Sequence, residues 1–537
     1  MDKQPRPAAD PGTPPATSPP PAPTAPTNER VTTTTAPKPR HDVGLSWLVL
    51  IGLLVLGSLP LLVDLSTPAV WSRQEALSVA ISSETKQRKA PIADGETSMQ
   101  SWTPVYQGES RWDLPPGGTW LHQVMYLGLE ADGNTVDTTD NKAWITRARM
   151  GSVVMALLFI AAVFWAGHSL GGVTTGAISA MVAMTMPLLL GFGRHANPHI
   201  VAITWSTLSI AGALWAMRPL RAAPSLARQL IGWIVCGAGL GLAALTAGPT
   251  AIPGTLLCTV VLAMFCPRRI GHIMGLLAST ALAVLLITPW ALHVHDHDAD
   301  VWQQWVRQLS PDFAQATLGE TLQRASWRLS LAATFSGLWL IWLIPAVTQP
   351  FSTSTGKARR KMLIGWGWLI TASALLAFAP GPTRISGLLL AVAPASVSIA
   401  LTIQQFHDLS AEARHARLWL ICRWITCGFM LAFAIALPII GYLLNNRPDL
   451  VSWLPSYDHA LLAPMHWSFY AGTGIALLLA SVLAFRFAHA NHPGRTTACL
   501  ALWLLILACL AAIPISRGER LNTTFNAPDA ERHSTDL

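Results

Sequence analysis

The chain alternates between long apolar runs and short polar connections. Runs long enough to cross a bilayer recur at roughly 44–63, 150–168, 171–191, 198–217, 229–247, 250–266, 270–292, 329–348, 362–380, 385–403, 418–444, 466–485 and 497–515. The pattern predicts about 13 membrane helices, with ends placed to within a few residues. The pair at 229–266 is divided only by the turn Ala247-Gly248-Pro249-Thr250, which makes it the most weakly marked hairpin. Ahead of the first run, residues 1–40 hold 12 Pro and 8 Thr. Such a tail cannot bury a core and is expected to be disordered. The first apolar run starts near Val43, too late for a standard cleavable signal, so it is expected to act as an uncleaved anchor.

Two longer polar stretches interrupt the apolar pattern, from about Asp64 to Arg149 and from about His293 to Arg328. Each contains a helix-like segment, RQEALSVAISSE in the first and DVWQQWVRQL in the second. These are expected to lie as short helices on the outer membrane face, anchored by Trp residues at the interface. The organisation read from the chain is therefore a disordered Pro/Thr-rich cytoplasmic tail (1–42), a membrane domain (43–516) and a polar carboxyl-terminal tail (517–537).

Composition agrees with the pattern. Of 537 residues, 51% are apolar and 12% charged, with a mean hydropathy of +0.41. A soluble protein carries roughly 25% charge. The deficit excludes an ordinary soluble enzyme, a disordered protein or a nucleic-acid binder, despite a net charge of +8. The surplus of basic residues reads instead as topology. With the tail cytoplasmic, the short inside loops hold 14 Lys and Arg residues and the short outside loops hold 3, namely Arg194, Arg384 and Arg447. That asymmetry predicts a multi-pass protein of the plasma (inner) membrane, amino terminus inside and carboxyl terminus outside. The 7 cysteines lie in or beside apolar runs without metal-type spacing, as small packing residues do.

The spans contain almost no ionisable residues, whereas ion-coupled transporters and channels usually need them at mid-depth. Chemistry is therefore expected at the outer boundary, where four groups stand out. Glu75 follows Arg73 and Gln74 just past the first span. Partial desolvation there would raise its pKa and suit it to general-base work; a surface carboxylate on an interfacial helix is the plainer alternative. Asp113 and His122 flank the turn Pro115-Pro116-Gly117-Gly118, which precedes an apolar helix. His293, His295, Asp296, His297, Asp298 and Asp300 have metal-ligand chemistry, with His295, His297 and Asp298 as weak candidates. Their alternation suits an extended segment better than a helix, and a solvated polar cluster is the alternative. Arg194 and Arg384, on the same side of the membrane, would make a phosphate clamp or simply snorkel to the interface. The glycines of residues 237–244 lie within a span and read as close helix packing.

In this order the pieces resemble glycosyltransferase family 39, the membrane glycosyltransferases that include protein O-mannosyltransferases and lipid A aminoarabinose transferases. Gln74-Glu75 matches the Asp-Glu pair that opens an interfacial helix in the family. Asp113-Leu114-Pro115-Pro116, followed by Trp120, matches its acidic-Pro-Pro turn. Arg149 matches the Arg that begins the second span, and Arg194 to His199 the turn after the third. Residues 241–249 match a Gly-Leu-x-x-Leu-Thr-Lys-Gly-Pro segment. Pro289-Trp290, with Trp302 and Trp305 after it, matches the Pro-Trp that opens the second outer loop, and Arg384 to Pro394 a late basic-then-proline segment. The resemblance runs from the first span to about residue 400, and in topology to the end.

The resemblance implies an all-α polytopic GT-C fold and an inverting displacement at the outer (periplasmic) face. A sugar would move from a polyprenyl-phosphate donor to a lipid or protein acceptor in the cell envelope. It implies Glu75 and Asp113 as catalytic carboxylates, and Arg149, Arg194, Arg384, Gln74 and His199 as substrate or phosphate contacts. No cofactor is required, and a divalent metal remains compatible. The expected partners are the lipid donor, the acceptor and the bilayer, with no nucleic acid. The chain departs from the pattern at four positions. Gln74 stands where the family has its acid, Leu114 and Ala247 where it has Lys, and His199 where Asp is common. Either Glu75 takes over as base, or the substrate differs, or activity is lost. A non-catalytic relative that binds a lipid-linked sugar or scaffolds an envelope partner therefore stays open, as does a lipid flippase or transporter.

Overall fold

A computed structural model describes residues 43–63, 65–66, 73–87, 103–127, 142–217, 225–266, 269–298, 300–301, 303, 305, 317–352, 356–378, 385–408, 413–446, 467–490 and 493–518. The predicted amino-terminal tail, Trp302, Arg384, Arg447 and the last residues of the chain lie outside them.

The chain is helical almost throughout. The first ten helices are α1 (Val43–Leu62), α2 (Arg73–Gln87), α3 (Gly117–Met125), α4 (Lys142–Gly171), α5 (Val173–Met184), α6 (Pro187–Arg194), α7 (Pro198–Met217), α8 (Leu226–Ala247), α9 (Ala251–Met264) and α10 (Arg269–His297). Among the described residues 9 helices are long and apolar enough to cross a membrane, or up to 11 if each bent pair is one span. Two further apolar helices, Ala251–Met264 and Gly494–Cys509, are shorter. Together these cover all of the apolar runs in the sequence. The run at 171–191 is not one rod. It breaks into α5 and α6, which meet at 65°. Pro187 opens α6 at its first turn, where a missing N–H costs nothing but the preceding helix cannot continue through it. Thr185 closes the bend by accepting a 2.9 Å hydrogen bond from the Trp339 indole. The run at 329–348 breaks likewise, by 109° near Gly337.

The main core fills the bundle with Leu, Ile, Ala and aromatic side chains from α1, α4 to α9 and the later helices, with Trp339, Trp368 and Trp503 fully buried. Outward faces of α1, α10 and helix Ala413–Asn446 carry exposed Leu, Ile and Phe, as lipid-facing surfaces do. All 7 cysteines are free, in keeping with their reading as packing residues.

The first long polar stretch folds as the sequence predicts around α2, which covers the RQEALSVAISSE segment. It also holds a small hairpin, Val105–Tyr106 paired antiparallel with Glu109–Ser110, that periodicity did not announce because each strand has only 2 residues. A second, small core of Val79, Tyr126, Trp144, Ile145, Ala148 and Ala196 ties α2, α3 and α4 to the turn after α6. That cluster fixes the site described next. In the second polar stretch only Asp300, Val301, Gln303 and Trp305 of the predicted interfacial helix are described, and they are helical.

Candidate functional site

Glu75 sits in the first turn of α2 and is 1% exposed. Both oxygens of its carboxylate are engaged. Arg149 of α4 donates from Nε to Oε1 at 2.8 Å and from Nη2 to Oε2 at 3.1 Å. The backbone N–H of Ala196 donates to Oε1 at 3.0 Å. His195 Nδ1 stands 3.6 Å from Oε2, ion-pairing distance when the ring is protonated. Burial by itself would raise the Glu75 pKa. The contacts with His195 and Arg149, together with the Arg149 charge, outweigh it and hold the carboxyl well below the usual carboxylate range. This is the reverse of the elevated, base-like carboxyl that its interfacial position suggests. Sequence could not reveal it, because the partners lie far along the chain.

Arg149 also donates to the Leu65 carbonyl at 3.3 Å, and Arg194 donates to the Val63 carbonyl at 2.6 Å. Both arginines thus hold the chain as it leaves α1. The turn that delivers Arg194, His195 and Ala196 is set by two local devices. One is the α5–α6 bend. The other is the Asn197-Pro198 start of α7. Asn197 Oδ1 accepts from the His199 N–H at 2.8 Å, an N-cap satisfying an orphan helix donor, and Pro198 supplies the preset first helical φ. The Asn-Pro pair is a local helix-start signal, but it does not announce that His199 approaches Gln74, 125 positions away.

Next to the ion pair, Gln74 Nε2 lies 2.9 Å from His199 Nε2. The two positions where the chain departs from the family's acids therefore face each other. Both side chains are half-buried. Two turns further along α2, His122 of α3 meets Ser82: it is 1% exposed, and its Nδ1 is 3.0 Å from Ser82 Oγ. Burial lowers the His122 pKa to about 4, against a small opposing pull from Glu75, so the ring is neutral. His122 and Ser82 carried no separate signal in the sequence beyond the loop-to-helix junction.

Asp113 belongs to a second cluster. It pairs bidentately with Arg111 at 2.8 and 2.7 Å, and both side chains are about one-third exposed. The Asp113 carbonyl accepts from the Trp305 indole at 3.4 Å. Around it Trp290, Trp305, Leu245 and Val294 form a small core, with Trp112 and Trp120 packed against them. The junction of this cluster with the bundle explains the Pro-Pro-Gly-Gly sequence. A Cβ on Gly117 would lie 2.6 Å from Thr246 Oγ1 and 2.9 Å from the Leu245 carbonyl, so only glycine lets α3 start against the end of α8. There Gly248 ends α8 at φ +78, again a conformation for glycine.

The His/Asp run is helical, not extended, up to His297. His293 and His297, one turn apart, share a face and pack their rings 4.4 Å apart, with Trp112 stacked on His297 at 4.8 Å. Asp298 accepts from the N–H groups of Asp300 and Val301 and so starts the next turn. Among the described residues no three His, Cys, Asp or Glu side chains come together as a metal site. The helical period separates His295 from His297, which the alternation had paired.

The arrangement is a membrane bundle carrying a locked ion pair, an amide–imidazole pair and an aromatic cluster at the junctions of its polar segments. Comparison with known proteins shows what it is similar to. Undecaprenyl phosphate-alpha-4-amino-4-deoxy-L-arabinose arabinosyl transferase of Pectobacterium carotovorum is 25% identical over 399 residues, covering 72% of this chain and 64% of that protein. The protein of the same name from Pseudomonas aeruginosa PA14 is 28% identical over 337 residues, covering 57% of this chain and 55% of its own length. The crystal structure of ArnT from Cupriavidus metallidurans bound to undecaprenyl phosphate superposes with a TM-score of 0.63 at 17% identity, over 92% of this chain and 81% of that one. The chain has the GT-C fold and is similar in sequence to these aminoarabinose transferases. It spans less than two-thirds of the length of these curated relatives. No protein-family profile matches it. The GT-C architecture and the lipid A aminoarabinose transferase side of the expected resemblance are thereby shown, and the chain is an integral membrane protein.

Proposed function

We propose that this chain transfers a sugar from a polyprenyl-phosphate donor to an acceptor at the outer face of the inner membrane. The observation that carries the reading is the Glu75–Arg149–Ala196 clamp. It joins α2, α4 and the turn before α7 in a bundle with the fold of a protein crystallised on undecaprenyl phosphate. The basic bias of the short loops on the opposite side supports an amino terminus inside and a carboxyl terminus outside.

The transfer is an inverting displacement. The acceptor hydroxyl loses its proton and attacks the anomeric carbon, while the sugar–phosphate C–O bond breaks and its electron pair leaves on the phosphate. Positive charge must meet the developing phosphate. Arg194 is our first candidate, because it lies two residues before Ala196, whose N–H closes the clamp on Glu75. Arg384, outside the described residues, is the second. Arg149 we assign to positioning, since its charge is matched by Glu75. Glu75 is likewise a positioning residue: a carboxylate held by four contacts has little basicity to offer. Asp113, on the aromatic cluster, we place toward the acceptor. No step is routed through a metal.

A second reading is favoured by one observation: Gln74 replaces the family's acid and Glu75 is locked. A non-catalytic relative would bind the lipid-linked sugar without transfer. The full-length protein in liposomes, given undecaprenyl-phosphate aminoarabinose labelled in the sugar, decides between them. Label moving to a second lipid or to protein supports the transferase. Retention of bound donor with no transfer and no release of sugar supports the binding reading.

A further inference from the structure

α3 is amphipathic with its polar side turned inward. Thr119, His122, Gln123 and Tyr126 recur at the spacing of one helical face, and all four are buried. Val124 and Leu127, off that face, are 53% and 68% exposed. A helix so turned needs polar partners on its inner side, and they are only partly there. Tyr126 Oη, Gln123 Oε1, Gln123 Nε2 and His122 Nε2 are buried with no hydrogen-bond partner among the described residues. Their side chains are at least nine-tenths buried. Of the two His122 ring nitrogens, Nδ1 is satisfied at 3.0 Å from Ser82 Oγ. The single Ser82 hydroxyl hydrogen goes to the Ser78 carbonyl at 2.7 Å. Ser82 Oγ therefore accepts from Nδ1–H, which leaves a lone pair on His122 Nε2.

We infer that the inward face of α3 reads the sugar of the lipid-linked donor, with His122, Gln123 and Tyr126 hydrogen-bonding its hydroxyls; the inference rests on the donor reading above. Packing alone does not call for these residues, since Met or Phe would fill the same space without burying orphan polar atoms. Their chemistry matches a polyhydroxyl ligand. The Tyr126 O–H donates, His122 Nε2 accepts and the Gln123 amide does both. None of the three carries the positive charge that a phosphate calls for, so the face suits the sugar and leaves the phosphate to the arginines. Its place in the fold agrees. The Tyr126 ring packs edge-on against Trp144 at the start of α4, with centroids 4.6 Å apart. Just past Arg149, Gly151 lets α3 settle on α4: a Cβ there would stand 3.3 Å from Met125 Cγ and 3.5 Å from His122 Cδ2. The face is thus built beside the Glu75–Arg149 clamp. A sugar reaches it by a shift of α3 away from α2 and α4, and the exposed Val124 and Leu127 leave that side of the helix open for the movement.

The test titrates the full-length protein in detergent with undecaprenyl phosphate and with the same lipid carrying aminoarabinose, mannose or glucose. Gln123→Met and Tyr126→Phe each remove polar atoms and nearly keep the volume. Each is expected to weaken binding of the tightest sugar-bearing lipid by about 3–10-fold, the worth of one hydrogen bond, and to leave undecaprenyl phosphate within about twofold. Both variants are also expected to melt at a higher temperature than wild type, because each removes a buried orphan. Higher melting with unchanged affinity for every sugar-bearing lipid would overturn the inference and leave the transfer reading standing. Equal weakening toward lipids with and without sugar would overturn it as well, since that marks a general distortion. So would a wild-type protein that binds no sugar-bearing lipid more tightly than undecaprenyl phosphate. Sugar-selective binding that both variants weaken, in a wild-type protein that transfers no sugar, would instead keep the sugar-reading face and overturn the transfer reading.

Discussion

Glu75 and Arg149 lie 74 positions apart and meet through two hydrogen bonds of 2.8 and 3.1 Å, with almost no surface left to solvent. The pair joins the polar segment after the first span to the start of the second, and the Ala196 N–H adds the turn after the third. Two opposite charges bring this seam together only because each is desolvated against the other.

Removing one partner should leave an uncompensated buried charge. Arg149→Met is expected to destabilise the protein by about 3–5 kcal/mol, and Glu75→Gln by a similar amount. The double variant Glu75→Gln/Arg149→Met should recover part of that loss. Thermal unfolding in detergent checks the cycle. Additive losses would mean the two charges do not depend on each other.

The Glu75 pKa is depressed in the folded state, so its stabilisation is present above the unfolded carboxylate pKa near 4.5 and is lost as pH falls below it. His122 acts in a neighbouring window. Its folded pKa of about 4 lies below the ordinary 6.5, so the neutral ring's contribution is complete above pH 6.5 and disappears as pH falls to 4. The loss is on the order of 3 kcal/mol by pH 4. His122→Gln, which cannot titrate, should flatten the melting temperature between pH 6.5 and 4. The same slope in wild type and variant would assign the acid loss to other groups.

Gly117→Ala should be costly for a surface-near turn. The new methyl meets the Leu245 carbonyl at 2.9 Å, and that carbonyl belongs to a rigid helix end. An expected cost of about 1–3 kcal/mol follows from overpacking. Gly44→Ala, where nothing lies within 4 Å, is the matched control and should be neutral or slightly stabilising.

Asn197→Ala removes the cap of α7. The expected loss is about 0.5–2 kcal/mol of stability. Asn197→Asp or Asn197→Ser should restore it, read by thermal unfolding in detergent.

The helical architecture was legible because hydropathy reports solvent, and each apolar run must shed its backbone polarity inside a helix. The start of α7 was legible from Asn197-Pro198, and the α3 junction from Pro115 to Gly118, since caps and tight turns are local. The bend at Thr185 was hidden inside a continuous apolar run, where only Pro187 hints at it. The His/Asp stretch misled for a related reason: a period of two suggested a strand, but the segment is the polar end of a long membrane helix and keeps its period.

The sequence by itself determined that this is a many-helix membrane protein with polar chemistry gathered in a few connecting segments. It also marked Gln74, Glu75, Arg149, Arg194 and His199 as the residues to watch. Which of them meet one another was decided only by the tertiary structure. Pairing Glu75 with Arg149 rather than leaving it at an interface inverts the sign of its pKa shift, and setting Gln74 against His199 brings two departures from the family pattern into one hydrogen-bonded pair. Both outcomes depend on contacts between residues more than 70 positions apart. Such contacts set burial and charge compensation, and no local pattern encodes them.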